Sequence, residues 1–349
     1  MLQYILNSYG LTEDMVEIIP FGTGLINTTW VINTSDKKFI LQRINHNIFK
    51  QPNDIADNIS RIGNYLSKNY PDYLFVTASK TLGGLDIIFE PKEGYFRLFP
   101  FVNSSHTIDV VSTASQAFEA AKQFGLFTKL LAGFPAAQLH ITLPDFHNLP
   151  LRYQQFETAI NQGNKERIYE AASTINFLQQ HHYIVTISES ILNNPAFKKR
   201  VTHHDTKISN VLFDDNNKGL CVIDLDTVMP GYFISDVGDM MRTYLSPVSE
   251  EEKDFSKIEI REDYFKAIAE GYLKEMNEEL TSTEKEHFVY AGKFMIYMQA
   301  LRFITDYINN DVYYGSKYEG QNFMRAKNQV VLLQQLMEKE AALSVMIKI

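Results

Sequence analysis

The sequence predicts an α+β chain folded as two lobes, a β-rich lobe over residues 1–103 and a mostly helical lobe over 104–349, with a ligand cleft between them. Three observations lead there. The first hundred residues carry short β-branched or aromatic runs separated by glycine-rich or polar turns. Most of the later chain has helical periodicity. A short β-rich patch from Thr202 to Asp226 interrupts those helices and holds the most informative polar motif.

In chain order, Val16–Phe21, Thr29–Asn33 and Lys38–Arg43 read as strands. Gln51–Lys68 reads as a helix because Ile55, Ile59, Ile62 and Leu66 recur at helical spacing. Leu74–Thr77, Leu85–Glu90 and Tyr95–Phe99 read as three more strands, and the last runs into a hinge at Pro100–Ser105. Ser112–Leu131 reads as a long helix, Ala132–Pro150 as a proline-containing loop. Helices follow at Leu151–Gln162 and Lys165–Gln180, with several more from Arg261 to the end.

Composition narrows the function. The 33 Lys and Arg against 42 Asp and Glu give a net charge of −9, which argues against nucleic acid and against an anionic membrane surface. It permits a neutral substrate, or an anion escorted by a divalent cation. The single cysteine, Cys221, lies in the apolar run Leu220–Ile223 and reads as a small core residue. The start shows no basic leader and no stretch reaches the length of a membrane span, so the sequence points to a cytoplasmic protein.

The informative motif is His203-His204-Asp205-Thr206-Lys207-Ile208-Ser209-Asn210, with Asp224 fourteen residues later at the end of the apolar run Leu220–Ile223. Phosphoryl transfer from ATP explains this pattern. An acceptor hydroxyl must lose its proton to a positioned carboxylate, a role for Asp205. The triphosphate needs Mg²⁺, which takes oxygen ligands, and Asn210 and Asp224 offer them. Lys207 is placed to meet the transferring phosphate as a point charge. His203 is expected to pack under the loop and hold its backbone.

A second segment, Phe21-Gly22-Thr23-Gly24-Leu25-Ile26-Asn27, lies between two expected strands. Glycines let backbone amides approach phosphate oxygens, so Gly22, Thr23, Gly24 and Asn27 are candidate nucleotide contacts, with Asn27 where a third glycine is usual. A plain hairpin turn reads equally well. The strand after it ends in Arg43, a candidate cation for the α- and β-phosphates, with Gln42 beside it as the other residue that could face the site. Asp57 on the following helix is the candidate acid to orient that cation, and Asp54 fits a solvated helix face better.

These residues resemble the aminoglycoside phosphotransferase and choline kinase superfamily, of protein-kinase-like fold. Gly22–Thr28, Phe39–Asn45, Phe96–Pro100, Asp205–Phe213, Val222–Gly231, Asp236–Arg242 and Arg302–Tyr314 are most similar to its N-acetylhexosamine 1-kinase branch. The resemblance implies ATP-dependent phosphorylation of the anomeric hydroxyl of GlcNAc or GalNAc. It makes Asp205 the base and Asn210 and Asp224 the Mg²⁺ ligands. Backbone at Pro100, Phe101 and Val102 would hold adenine. It gives Asp226 to the metal shell or a sugar hydroxyl, and Arg302, Asp306 and Tyr313 to the sugar. Asp236 and Asp239 would brace the catalytic loop from a helix start.

There is no DFG or APE motif, so a protein substrate is not expected. The same site suits another small acceptor: choline or ethanolamine, homoserine, a methylthioribose or an aminoglycoside. The pair Asp224 and Asp226 is also a D-x-D, as in glycosyltransferases that use nucleotide sugars, but the upstream H-x-D-x-K-x-x-N has no place in that chemistry. A regulatory protein without catalysis is disfavoured because Asp205, Asn210 and Asp224 are all present.

Overall fold

The computed structural model of the chain describes residues 2–22 and 26–347. Helix α1 (Leu2–Ser8) precedes strands β1 (Glu17–Pro20), β2 (Thr28–Asn33) and β3 (Lys38–Ile44). Helix α2 (Pro52–Asn69) follows, then β4 (Ile88–Glu90) and β5 (Gly94–Pro100). The five strands form one antiparallel sheet in the order β1-β2-β3-β5-β4. Ile5 and Leu6 of α1 bury against it with Ile32, Leu41, Phe96 and Leu98 in a small core of their own.

The rest of the chain is helical around two small sheets. It runs β6 (Ser105–His106), α3 (Ala114–Leu130), α4 (Leu149–Gln162), α5 (Lys165–Glu170), α6 (Ala172–Gln180), α7 (Tyr183–Leu192) and β7 (Arg200–Thr202). Then come β8 (Val211–Asp214), β9 (Gly219–Val222), β10 (Met229–Gly231), α8 (Phe233–Tyr244) and α9 (Glu262–Met276). The last helices are α10 (Ser282–Glu286), α11 (Phe288–Ile308) and α12 (Gln321–Met346). Strands β6, β8 and β9 make one sheet, β7 and β10 the other. Helix α11 is buried on nearly every face and is the axis of this lobe. Gly238 lets α8 lie directly on it, since a Cβ there would meet the Ala291 carbonyl at 2.3 Å.

Three sequence expectations change. Leu74–Thr77 joins no sheet; Phe75 stacks on Phe127 of α3, and Gly63 of α2 admits Thr77, whose Cγ2 would lie 2.6 Å from a Cβ. The segment's apolar residues therefore serve packing between helices, not a ladder. The expected helix Lys165–Gln180 breaks at Ala171 into α5 and α6. Helix α2 belongs by packing to the helical lobe: Ile55, Ile59, Ile62 and Leu66 join its large core, away from the small core under the sheet. Its buried Asn58 donates to the carbonyls of His140 and Val228 and accepts from the His140 N–H.

Candidate active site

Strand β7 delivers the chain into the motif loop, and α8 holds that loop by its backbone. Asp236 accepts from the N–H groups of His203 (3.1 Å) and His204 (2.7 Å). Asp239 accepts from the Thr206 N–H at 2.9 Å, and the Thr206 hydroxyl donates to the Asp236 carbonyl. The Tyr244 hydroxyl donates to the Thr206 carbonyl. These bonds hold His204 at φ +67, a left-handed conformation that a non-glycine residue adopts only when its surroundings enforce it. Burial pushes the Asp236 carboxyl up to about 7 against the pull of its two N–H donors.

His203 is buried against Phe124 and Phe127. Burial lowers its pKa, so the ring is neutral, and its Nε2–H donates to the Ile223 carbonyl at 2.9 Å. The resulting platform presents Asp205 half-buried at the cleft. Its Oδ2 accepts from Asn210 Nδ2 at 3.0 Å, and its Oδ1 lies 3.1 Å from Lys207 Nζ. Burial alone would raise the Asp205 carboxyl, but the ammonium of Lys207 holds it below the ordinary carboxylate value. The charge of Asp205 in turn raises Lys207.

Asn210 is brought to the end of β9 by one backbone bond, from the Ile223 N–H to the Asn210 carbonyl at 2.9 Å. That bond sets Asp224 beside it. Asn210 spends its amide N–H groups on the Asp205 carbonyl and carboxylate, which leaves its Oδ1 for another partner. Asp224 is left-handed at φ +58, and no described residue bonds its carboxylate. It is exposed at the cleft, and desolvation by the surrounding chain, then the charges of Asp226 and Asp205, push its carboxyl up to about 7. An amide oxygen beside a carboxylate that lacks a counter-charge fits a hard divalent cation that keeps water and phosphate as its other ligands. Among the described residues no group of three or more His, Cys, Asp or Glu forms an all-protein metal cage.

On the sheet side, strand alternation decides which residue faces the cleft. Arg43 points away and pairs with Glu93 at 2.6 Å. Gln42 points in, and its cross-strand partner is Arg97 of β5. Gln42 Oε1 accepts from Arg97 Nε (3.1 Å) and Nη2 (2.8 Å). Arg97 Nη1 lies 2.6 Å from Asp226 Oδ1, with both side chains buried. Asp226 Oδ2 accepts from Asn27, which also accepts from the Asn45 N–H. Asp226 is thus committed to the sheet lobe and not turned toward an acceptor. Asp57 pairs with Arg61 and His140, so it orients no cation on β3. Gly22 is left-handed at φ +78, while Thr23 and Gly24 lie outside the described residues. In the hinge, the Phe101 N–H is taken by the Lys38 carbonyl, Pro100 has none, and no described residue accepts from the Val102 N–H.

His147 meets His204 of the motif loop, with its Nδ1 3.4 Å from the other Nδ1. Beside His147, the Arg302 guanidinium lies over the rings of Phe146 (5.9 Å), Tyr313 (5.9 Å) and Tyr314 (5.5 Å). Arg152 is its close neighbour, and burial, followed by the Arg302 charge, lowers the Arg152 pKa. Neither guanidinium has a carboxylate within ion-pair distance among the described residues, and Arg152 Nε is buried without a partner. Asp306 does not face this space. It is buried and accepts from the Tyr313 and Tyr314 N–H groups and from Asn322, a knot that shapes the loop after α11. Tyr313 is exposed on that loop. Arg97, Arg152 and Phe146 went unnoticed in the sequence. The FRLFP run around Arg97 was visible, but only the Gln42–Arg97 register gives the residue a role.

A model of the phosphotransferase enzyme family matches residues 17–274. Among solved structures the chain is similar to a microcompartment-associated aminopropanol kinase, at 14% identity over 98% of this chain and 97% of that one, with a TM-score of 0.65. It is similar to an aminoglycoside phosphotransferase from Alicyclobacillus acidocaldarius, at 10% identity over 100% and 96% and a TM-score of 0.63. It is also similar to a choline kinase from Cryptosporidium parvum, at 14% identity over 97% and 95% and a TM-score of 0.56. At such identities these likenesses show a shared fold, here a β-sheet lobe followed by a helical lobe. Among the described residues no helix is long and apolar enough to cross a membrane.

Proposed function

The chain belongs to the phosphotransferase enzyme family and is a small-molecule kinase with a hydroxyl acceptor; from that premise we propose that it phosphorylates the anomeric hydroxyl of an N-acetylhexosamine, with ATP as donor. One observation carries the choice of acceptor. Arg152 and Arg302 stand around His147, which meets His204 of the motif loop, and neither has a carboxylate partner among the described residues; on this reading they form a cationic acceptor wall. The aromatic faces that would cage a quaternary ammonium are already covered by Arg302. Such a wall repels choline, ethanolamine and aminoglycosides. It suits a neutral molecule rich in hydroxyl and carbonyl oxygens, which guanidinium N–H groups can bind. The other acceptors weighed above, homoserine and methylthioribose, remain the second reading on the same wall.

Asp205 Oδ2 receives the proton of the acceptor hydroxyl. As that oxygen bonds to the γ-phosphorus, the bond from phosphorus to the β–γ bridging oxygen breaks, and ADP leaves. With its pKa held low, Asp205 is a weak base. That suits a loose transition state, in which the hydroxyl loses its proton late. Lys207, paired with the base, supplies positive charge beside the transferring group. Asn210 and Asp224 would hold Mg²⁺, which when bound neutralises phosphate charge.

The test is ADP release from Mg·ATP with GlcNAc, GalNAc, glucose, galactose, choline, homoserine and kanamycin, with Asp205→Asn as control. Turnover confined to the N-acetylhexosamines and lost in the control is expected. Turnover on choline or kanamycin would overturn the acceptor reading and leave the kinase assignment standing.

A further inference from the structure

The phosphate cation of a nucleotide cleft is expected on the strand that Gln42 and Arg43 occupy, yet the inward position there is neutral and the charged one faces away. The charge in the cleft comes from the neighbouring strand. Arg97 is directly opposite Gln42, and Gln42 grips its guanidinium through Nε and Nη2. The grip fixes where the remaining N–H groups point. A guanidinium carries five N–H donors. Gln42 engages two nitrogens, and Asp226 Oδ1 is near Nη1 at 2.6 Å but misaligned, so neither atom has a hydrogen-bond partner among the described residues. Arg97 is 3% exposed, and a buried charged group with unspent donors is costly unless an acceptor arrives. Three pieces of chain frame the guanidinium: Asn27 after the glycine segment, β3, and the turn from Asp224 to Asp226. On the kinase reading these are the pieces that surround the nucleotide phosphates.

We infer that Arg97 is the phosphate-binding cation of this chain, carried on β5 in place of β3, with Asp226 as the counter-ion that keeps it aimed while no nucleotide is bound. The inference rests on the kinase reading above. It makes Asp226 a positioning residue, and it takes Arg43 out of the nucleotide site.

The experiment compares Mg·ADP with adenosine by titration calorimetry on the full chain. The variants are Arg97→Met, Asp226→Asn, the double variant Arg97→Met with Asp226→Asn, and Arg43→Gln. A charge-assisted contact to phosphate predicts a ten- to hundredfold loss of ADP affinity in Arg97→Met, with adenosine affinity unchanged because it has no phosphate. Arg97→Met leaves Asp226 buried and alone, which destabilises the fold. The double variant removes both charges and keeps an oxygen for Asn27, so it is the folded control, checked by circular dichroism. It is expected to lose ADP affinity to the same degree, while Asp226→Asn, which keeps the cation but loosens its aim, loses less than Arg97→Met, and Arg43→Gln stays within about threefold of the parent. If the double variant regains parental ADP affinity, or Asp226→Asn alone loses as much as Arg97→Met, Arg97 only holds Asp226 and the inference is overturned. A loss in Arg43→Gln would overturn it too. A parent chain that binds neither ADP nor adenosine would bring down the kinase reading first, a result distinct from either.

Discussion

Asn58 gives the sharpest test of how the cleft is built. It sits on α2, fully buried, and its amide makes three bonds to the helical lobe: to the His140 carbonyl at 2.9 Å, to the Val228 carbonyl at 3.2 Å, and from the His140 N–H at 2.9 Å. Asn58→Leu keeps the branched shape, favours the helix slightly and removes all three. At about 0.5–1.5 kcal/mol net for each, the loss is about 1.5–4.5 kcal/mol. A chain of this length unfolds with an entropy of about 0.7 kcal/mol/K, so Tm should fall by about 2–6 °C. Asn58→Asp should be worse, because it aims a buried carboxylate at two carbonyl oxygens. Differential scanning calorimetry of the three proteins reads both the size and the order. A leucine variant that melts within about 1 °C of the parent, or an aspartate variant as stable as the leucine one, would refute the claim that α2 is fastened to the helical lobe through this side chain.

Asp205→Asn should lower turnover about 10²- to 10⁴-fold while Tm and Mg·ADP affinity hold, because asparagine keeps the side-chain shape and Lys207 is exposed to solvent; loss of folding would contradict this. Arg302→Gln should raise the acceptor KM and leave the ATP KM unchanged, read from initial rates; a changed ATP KM would place Arg302 elsewhere. His204 is buried, and that burial lowers its pKa to about 3. Below about pH 6.5 the unfolded chain takes up a proton there that the folded chain refuses, so this contribution to stability falls as pH falls. Asn tolerates the left-handed backbone and does not titrate. The stability of the parent relative to His204→Asn should therefore decline by about 1.4 kcal/mol per pH unit from about 6.5 downward. A difference that stays flat between pH 7 and pH 5 in urea titrations would sink this assignment.

The parts of the site that were legible in the sequence are those set by neighbours in the chain. Asp205, Lys207 and Asn210 lie within six residues, and Asp224 follows at the end of a short hairpin, so local structure alone brings them together. The parts that were not legible depend on partners far away. Whether Gln42 or Arg43 faces inward is a matter of strand period, and a shift of one residue inverts it. Arg97 matters only through its register with Gln42, fifty-five residues back. Asp306 looks like a sugar contact at helical spacing from Arg302, yet two loop N–H groups and Asn322 consume it. Leu74–Thr77 has a strand's composition but meets two helices and no strand edge.

The two halves of the site differ in how they are held, and the difference bears on mechanism. The proposed base and metal residues are joined directly by the Asn210 amide, which donates to Asp205, and through Ile223, whose N–H bonds the Asn210 carbonyl and whose carbonyl accepts from His203. Both Ile223 bonds are to its main-chain atoms, so its side chain is free to vary while Asp205, Asn210 and Asp224 keep their spacing. The same frame holds His204 and Asp224 in left-handed conformations, each at a cost of about 1–2 kcal/mol. That strain is already spent before substrate binds, so the carboxylates need not reorganise during transfer. The sheet lobe reaches this frame through Asp226, by way of Arg97 and Asn27. That half of the contact set includes a buried pair of side-chain charges, Arg97 and Asp226. If Arg97 binds phosphate as inferred, an arriving triphosphate changes the strength of that half, and Asp226 is then the joint through which nucleotide binding reaches the proposed catalytic turn.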